Sequence, residues 1–157
     1  MAISYIKGDL LTSDEKLIAH GCNSKGVMGS GIAKSIREKY PIVYSRYHKW
    51  HEDFCVYNEN DGLPLGATQF VDVTDNLTII NCITQKDFGS NYVNYKFVSY
   101  DAIYAAFKRI NSYMSDTGIN EIGIPKIGAG FGGGDWEVIS RIIETCMPNK
   151  QIRVYYL

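Results

Sequence analysis

The 157-residue chain has almost no excess of charge of either sign: 16 lysines and arginines stand against 17 aspartates and glutamates, a net of −1. So even a balance leaves no broad field to draw in nucleic acid or an anionic membrane, although backbone dipoles can still hold a small polyanion. No apolar stretch approaches the ~18 residues of a membrane helix, and no secretory leader pattern is present, so the cytoplasm is the expected compartment and no membrane partner is expected. The four cysteines, Cys22, Cys55, Cys82 and Cys146, have neither CxxC nor Cys/His ligand spacing. Cys22, Cys82 and Cys146 sit in apolar surroundings and read as small buried hydrophobes. No metal site and no cofactor are expected. Repeats, linkers and low-complexity tracts are missing too, so one domain over residues 1–157 is expected.

What is present in quantity is ordinary core material, 45% hydrophobic residues, together with 12 tyrosines, a residue suited to stacking on a base as well as to packing. Two glycine-rich loops stand out. The first is Gly26-Val27-Met28-Gly29-Ser30-Gly31 and the second Gly128-Ala129-Gly130-Phe131-Gly132-Gly133-Gly134. Each follows an apolar run that reads as a strand and leads into a segment of helical periodicity. That context aims backbone N–H groups and a helix N-terminus at one point, which suits phosphate. Two such loops in one small domain predict a ligand with two phosphates, or a phosphate flanked by sugars.

The remaining pattern alternates strand and helix. Strands are predicted at 3–7, 17–22, 121–125 and 152–156, and a hairpin at 67–73 and 77–83 turning on Asp75-Asn76. Ile32, Ile36 and Tyr40 recur at helical spacing up to Pro41, and 42–51 continues as a second helix. Ile103, Phe107, Ile110 and Met114 mark a helix ending near Gly118; Trp136, Ile139, Ile142, Ile143 and Cys146 mark another, with Asp135 as N-cap. This order predicts an α/β fold, a three-layer α/β/α sandwich whose central sheet is mixed because of the hairpin.

In open α/β sheets the ligand lies beyond the carboxyl ends of the strands. Asp9, Asn23, Gln85 and the second glycine loop all follow predicted strands and are expected on one rim. Asp9 is either an acceptor for an exocyclic amine or a turn cap. Asn23 is either a ribose ligand or a turn residue. His20, in a predicted strand beside a glycine loop, is either a hydrogen-bonded structural residue or an acid–base catalyst.

His20-Gly21-Cys22-Asn23, Gly29-Ser30-Gly31-Ile32-Ala33 and Ile124-Pro125-Lys126-Ile127-Gly128-Ala129-Gly130, with Gly8-Asp9-Leu10 before them, resemble the macrodomain family in order and over nearly the whole chain. The resemblance implies a macrodomain fold with ADP-ribose or ADP-ribose 1''-phosphate between the two loops. It places Asp9 and the Leu10 backbone at adenine. Asn23 falls at the distal ribose, and Val27, Met28, Gly29, Ser30, Gly31 and Ile32 flank that ribose and the diphosphate. Gly128, Ala129, Gly130 and Gly132 cradle the diphosphate, with Phe131 walling the distal ribose. Thr84 and Gln85 join the site, and Tyr155 is the adenine-stacking candidate, since period-two alternation allows only one of Tyr155 and Tyr156 on the cleft face.

The similarity is greatest to a short branch containing ADP-ribose 1''-phosphate phosphatases and glycohydrolases that remove ADP-ribose from protein or DNA. The glycohydrolases of that branch carry a lysine where this chain has Gln85, with Lys86 one residue on, and the terminal ADP-ribose glycohydrolase carries a loop aspartate where it has Gly132. Asp135, three residues further, reads as a helix cap. His20 matches the phosphatase-like members, and so does the stretch from Thr84 through Phe88-Gly89. The expected function is dephosphorylation of ADP-ribose 1''-phosphate by a monomer, with His20 as general acid or base and Asn23 orienting the ribose or water. On that reading His20→Ala abolishes turnover and spares binding. The alternatives are an ADP-ribosyl glycohydrolase, which meets nucleic acid only as a modified substrate, and a reader that binds without turnover.

Overall fold

In the computed structural model, residues 3–58, 62–87, 98–130 and 132–157 are described. Six strands, β1 (Ile3–Lys7), β2 (Leu17–Asn23), β3 (Thr68–Thr74), β4 (Leu77–Gln85), β5 (Glu121–Ile124) and β6 (Gln151–Tyr156), form one sheet in the order β1-β6-β5-β2-β4-β3. All neighbours are parallel except the β3–β4 hairpin. The sheet is therefore mixed, for the reason the hairpin signal indicated.

Period-two alternation divides the apolar side chains between two faces. Leu17, Ala19, Ile80, Cys82, Ile122, Ile124, Ile152 and Val154 pack against α3 (Tyr100–Thr117) and α4 (Trp136–Cys146), through Ile103, Phe107, Ile110, Met114, Ile139 and Ile143. Ile18, Ile79, Ile83 and Val71 pack on the other side against Ile36 of α1 (Gly31–Lys39) and Val43 and Tyr47 of α2 (Pro41–Asn58). Helices on both faces of a mixed sheet make the three-layer sandwich. Among the described residues no helix is long and apolar enough to cross a membrane.

Local chemistry sets the boundaries. Ser99 caps α3 by accepting the Ala102 N–H at 3.1 Å, and Gly118, at φ +74°, ends it in the left-handed conformation. Asp135 caps α4 by accepting the Glu137 N–H at 2.9 Å. Pro41 both stops α1 and opens α2, where a missing N–H costs nothing. α2 runs to Asn58, past the expected 51, because Trp50 and Phe54 continue its packing against the core. β2 reaches Asn23 rather than Cys22, and β5 stops at Ile124, before the proline that lacks a ladder donor.

Candidate ligand cleft

Beyond the carboxyl ends of β2, β4 and β5 lies a cleft of about 700 Å³. Of the expected site residues, Asn23, Val27, Gly29, Ser30, Gly31, Ile32, Thr84, Gln85, Gly128, Gly130 and Gly132 line it. Gly21, Cys22, Ala33, Pro125, Lys126 and Ile127 line it as well.

One wall is the start of α1. Ser30 occupies the N-cap position with extended backbone and no side-chain cap bond, and the first turn holds no acidic residue. Among the described residues, the N–H groups of Gly29 through Ala33 donate no hydrogen bond; the first helical bond to Ser30 comes from Lys34, at 3.2 Å. An uncapped helix start with open donors is a ready anion site.

The opposite wall is the second glycine loop, whose described amides fall into two sets. Ala129, Gly133 and Gly134 donate to Lys126, Gly130 and Gly128 carbonyls at 3.2, 3.1 and 2.8 Å. Among the described residues, the N–H groups of Gly128, Gly130 and Gly132, all lining the cleft, donate none. The loop thus closes on itself through one set of amides and leaves the other set for a ligand. Gly128 sits at φ +78°, and a Cβ there would lie 2.7 Å from Val98 Cγ2, so the turn requires glycine.

Asn23 is held more tightly than a free ligand-binding side chain. Its Oδ1 accepts from Lys25 N (2.9 Å), Val27 N (3.4 Å) and the Tyr47 hydroxyl (3.0 Å), while Nδ2 donates to Val27 O at 2.8 Å. The turn-residue reading is met, since the amide staples the loop; among the described residues one N–H proton of Nδ2 is left over. Asn23 can donate to a ligand oxygen but has no acceptor to spare for a water.

At the floor, the β2–β4 register slips between Cys22 and Asn23, so that Thr84 is an extra residue before Gln85 pairs with Asn23. Such a bulge beside a site re-aims the side chains that follow it. Gln85 Nε2 donates to Asp87 O at 2.7 Å, and its Oε1 stands 3.1 Å from where a Gly132 Cβ would be. That same Cβ would lie 2.8 Å from Gly128 O, so an aspartate has no room at 132 unless the loop backbone moves. Lys86, one residue beyond Gln85, is exposed and is not among the lining residues.

His20 requires a correction. It lies on the α2 face of β2 and is 0% exposed, outside the cleft. Its Nε2 donates to Asn81 Oδ1 at 2.6 Å, and Asn81 Nδ2 donates to Gln69 Oε1 at 3.0 Å. Burial lowers its pKa to about 4, against a smaller opposing effect of the Asn81 bond. A neutral, enclosed imidazole holding a core amide is a structural residue, not an acid or base for a ligand in the cleft. Cys22 Sγ, 3.6 Å from His20 Nε2, does line the cleft, but burial pushes its thiol far from ionisation.

Other expected residues also fall outside the cleft. Met28 (1% exposed) and Leu10 are buried in the second core layer, and Ala129 does not line the cavity. Asp9 caps the turn at Leu10–Thr12, its Oδ1 accepting Leu11 N at 2.9 Å. Tyr155 gives its hydroxyl to Glu15 Oε2 at 2.6 Å, within an ion-pair network in which Arg153 meets Glu15 and Glu121. Asp9 and Tyr155 sit at the ends of β1 and β6, on the cleft's rim of the sheet but beyond its lining. Phe131 and Phe88-Gly89 lie outside the described residues.

Sequence reasoning passed over Lys126, the one cation among the described lining residues, whose Nζ stands 5.9 Å from the Tyr156 ring centre. Its place between Pro125 and the second loop was the available signal. No group of three or more potential metal ligands occurs among the described residues.

A model of the Macro domain matches residues 19–143. An ADP-ribose 1''-phosphate phosphatase of Candida albicans is 31% identical, across 99% of this chain and 99% of its own length. A DNA ADP-ribosyl glycohydrolase of Mycobacterium tuberculosis is also 31% identical, across 98% of this chain but only 42% of that protein. Among solved structures, a Bacteroides thetaiotaomicron protein of unknown function superposes with a TM-score of 0.83 at 29% identity, covering 100% of this chain and 99% of its own.

Proposed function

Because the chain belongs to the macrodomain family, we propose that its cleft binds ADP-ribose and that it releases phosphate from ADP-ribose 1''-phosphate. The observation that carries this reading is the pair of facing amide sets. Gly29 through Ala33 on one side and Gly128, Gly130 and Gly132 on the other offer open N–H groups to a diphosphate, with no carboxylate among the described lining residues. Such donors cost no reorganisation when charge develops and need no net positive surface. The distal ribose then falls at Asn23 and the first loop, with adenine toward Asp9.

Full-length kinship with a protein named for phosphatase activity supports the reaction. Gln85 and Gly132, packed against each other, stand where glycohydrolases of the branch carry their lysine and the terminal glycohydrolase its aspartate, and this speaks against glycosidic cleavage. The step is hydrolysis. A water oxygen bonds to phosphorus as the bond between phosphorus and the C1'' oxygen breaks, and the ribose oxygen leaves with a proton supplied by that water. Charge spread over the phosphoryl oxygens meets the loop amides, the Nδ2 donor of Asn23 and Lys126.

One observation favours a second reading, binding without turnover: the described lining residues include no carboxylate and no imidazole. The two are separated by phosphate release from ADP-ribose 1''-phosphate, measured beside ADP-ribose calorimetry on one preparation. Release is expected, and Lys126→Ala should reduce it at least about tenfold while ADP-ribose affinity falls less. Binding without release makes the protein a reader; no binding rejects the assignment of the cleft.

The adenine end has its own test. Asp9→Asn keeps the acceptor that caps Leu10–Thr12 but removes the charge offered to the exocyclic amine. Its Tm should stay within about 2 °C of the parent while ADP-ribose affinity falls about five- to tenfold. An unchanged affinity would leave Asp9 as a turn cap only.

A further inference from the structure

Tyr47 lies 24 residues from Asn23 in sequence, on α2, with its ring wholly buried in the second core layer. Among the described residues its hydroxyl meets Asn23, the last residue of β2, and Gly26, the first of the glycine loop. It donates toward Asn23 O at 2.5 Å and Asn23 Oδ1 at 3.0 Å, and it accepts the Gly26 N–H at 3.2 Å. Gly26 is at φ +80°, and a Cβ there would lie 2.8 Å from the His51 ring, one helical turn beyond Tyr47 on α2. The start of the loop therefore rests on α2 at two successive turns of helix, and the hydroxyl bridges the end of β2 to the loop's first residue.

The geometry has a chemical consequence at Asn23. An asparagine amide can turn over, exchanging donor for acceptor at little intrinsic cost. Here the N–H groups of Lys25 and Val27 require an acceptor on one side and Val27 O requires a donor on the other, and the single Tyr47 hydroxyl proton, shared between Asn23 O and Oδ1, adds to the acceptor side. The free N–H proton of Nδ2 is thereby given one direction. We infer that Tyr47 is a positioning residue for the cleft, fixing the orientation of the Asn23 amide so that it presents a hydrogen-bond donor to the distal ribose. This rests on the ADP-ribose reading above for the identity of the ligand, but not for the orientation of the amide.

The test uses Tyr47→Phe, which keeps the buried ring, and two ligands that differ in the distal ribose, ADP-ribose and ADP. Tyr47→Phe should weaken ADP-ribose about tenfold and leave ADP within twofold, whereas a merely structural loss would weaken both alike. In an Asn23→Ala background, Tyr47→Phe should have no further effect on ADP-ribose, because it acts through the amide that is gone. Equal losses on the two ligands, or additive losses, would overturn the inference.

Nuclear magnetic resonance of the ligand-free protein decides the orientation separately. The Asn23 side-chain NH₂ pair should be sharp and well separated in the parent and broadened or averaged in Tyr47→Phe. In the parent, the Tyr47 hydroxyl proton should exchange slowly and show a contact to the Gly26 amide. Absence of that proton contact overturns the inference even if the variant fails to fold. If the parent binds no ADP-ribose while these resonances behave as expected, the ligand assignment fails and the positioning role stands.

Discussion

Gly128→Ala should lower ADP-ribose affinity by at least about 100-fold, equivalent to about 2.7 kcal/mol. Two effects act together. The residue sits at φ +78°, where an L side chain strains the backbone by roughly 1–2 kcal/mol. Its new Cβ would also lie 2.7 Å from Val98 Cγ2 and 3.1 Å from Ile139 Cδ1. Val98 cannot retreat freely, because its N–H is bonded to Gly132 O at 3.0 Å within the same loop. Relief must come from the loop itself, which turns the N–H groups of Gly128, Gly130 and Gly132 away from their common target. Gly118→Ala is the control. It has a similar φ of +74° at the end of α3 but nothing within 4 Å of its Cβ. It should lose about 1 kcal/mol of stability and bind ADP-ribose like the parent. Calorimetry on both variants checks the pair, and wild-type affinity in Gly128→Ala would move the diphosphate elsewhere.

The second large effect is on stability, through His20. In the folded chain its pKa is lowered to about 4 by burial, while the unfolded chain keeps the ordinary 6.5. Between these values the unfolded state holds a proton that the folded state lacks, so stability rises with pH in this window. The contribution is complete above pH 6.5 and is lost as the pH falls toward 4, amounting to about 3 kcal/mol. His20→Gln removes the titration. At pH 7 it should be less stable than the parent by about 2 kcal/mol, through a weakened bond to Asn81 Oδ1. On acidification the gap should close or reverse. Urea unfolding midpoints from pH 7 to 4.5 check this, and the parent–variant difference cancels the titration of carboxylates common to both. Parallel curves would mean that His20 is solvated. Phosphate release, if present in the parent, should survive in the variant at pH 7.

The two glycine loops, the hairpin and the Asp135 cap were legible because each is a local signal. Glycine where a positive φ is needed, Asp75-Asn76 between two alternating runs and Asp135 before an apolar stripe are all decided within a few residues. What escaped depends on partners remote in sequence. Alternation puts His20 and Cys22 on one face of β2, but only the placement of α2 and of Asn81, 61 residues away, makes that face interior. Tyr47 looks like one core aromatic among many until its hydroxyl is seen to reach Asn23 and Gly26. Asp9 and Asn23 each had two readings. In both, the local hydrogen bond is made, and the question becomes how much bonding capacity remains. Lys126 was quoted within a motif, and its entry into the cleft follows from the turn after β5.

The strand order has a bearing on how the site comes into being. β1 has a single neighbour in the sheet, β6, and β5 lies between β6 and β2. During synthesis the first strand must wait without a partner while more than a hundred residues are added, until Gln151–Tyr156 emerge to pair with it. The first glycine loop can be held on α2 early, since Tyr47 follows it closely in the chain. The second loop gains its frame only when β5 is clamped between strands from both halves of the sequence. Closure of so long a loop is slow, and an unpaired β1 is open to pairing with another copy in the meantime. A nascent chain halted before residue 151 is therefore expected to display the first half of the cleft and no affinity for the ligand. Binding competence is expected to arrive in one late step, with the completion of the sheet.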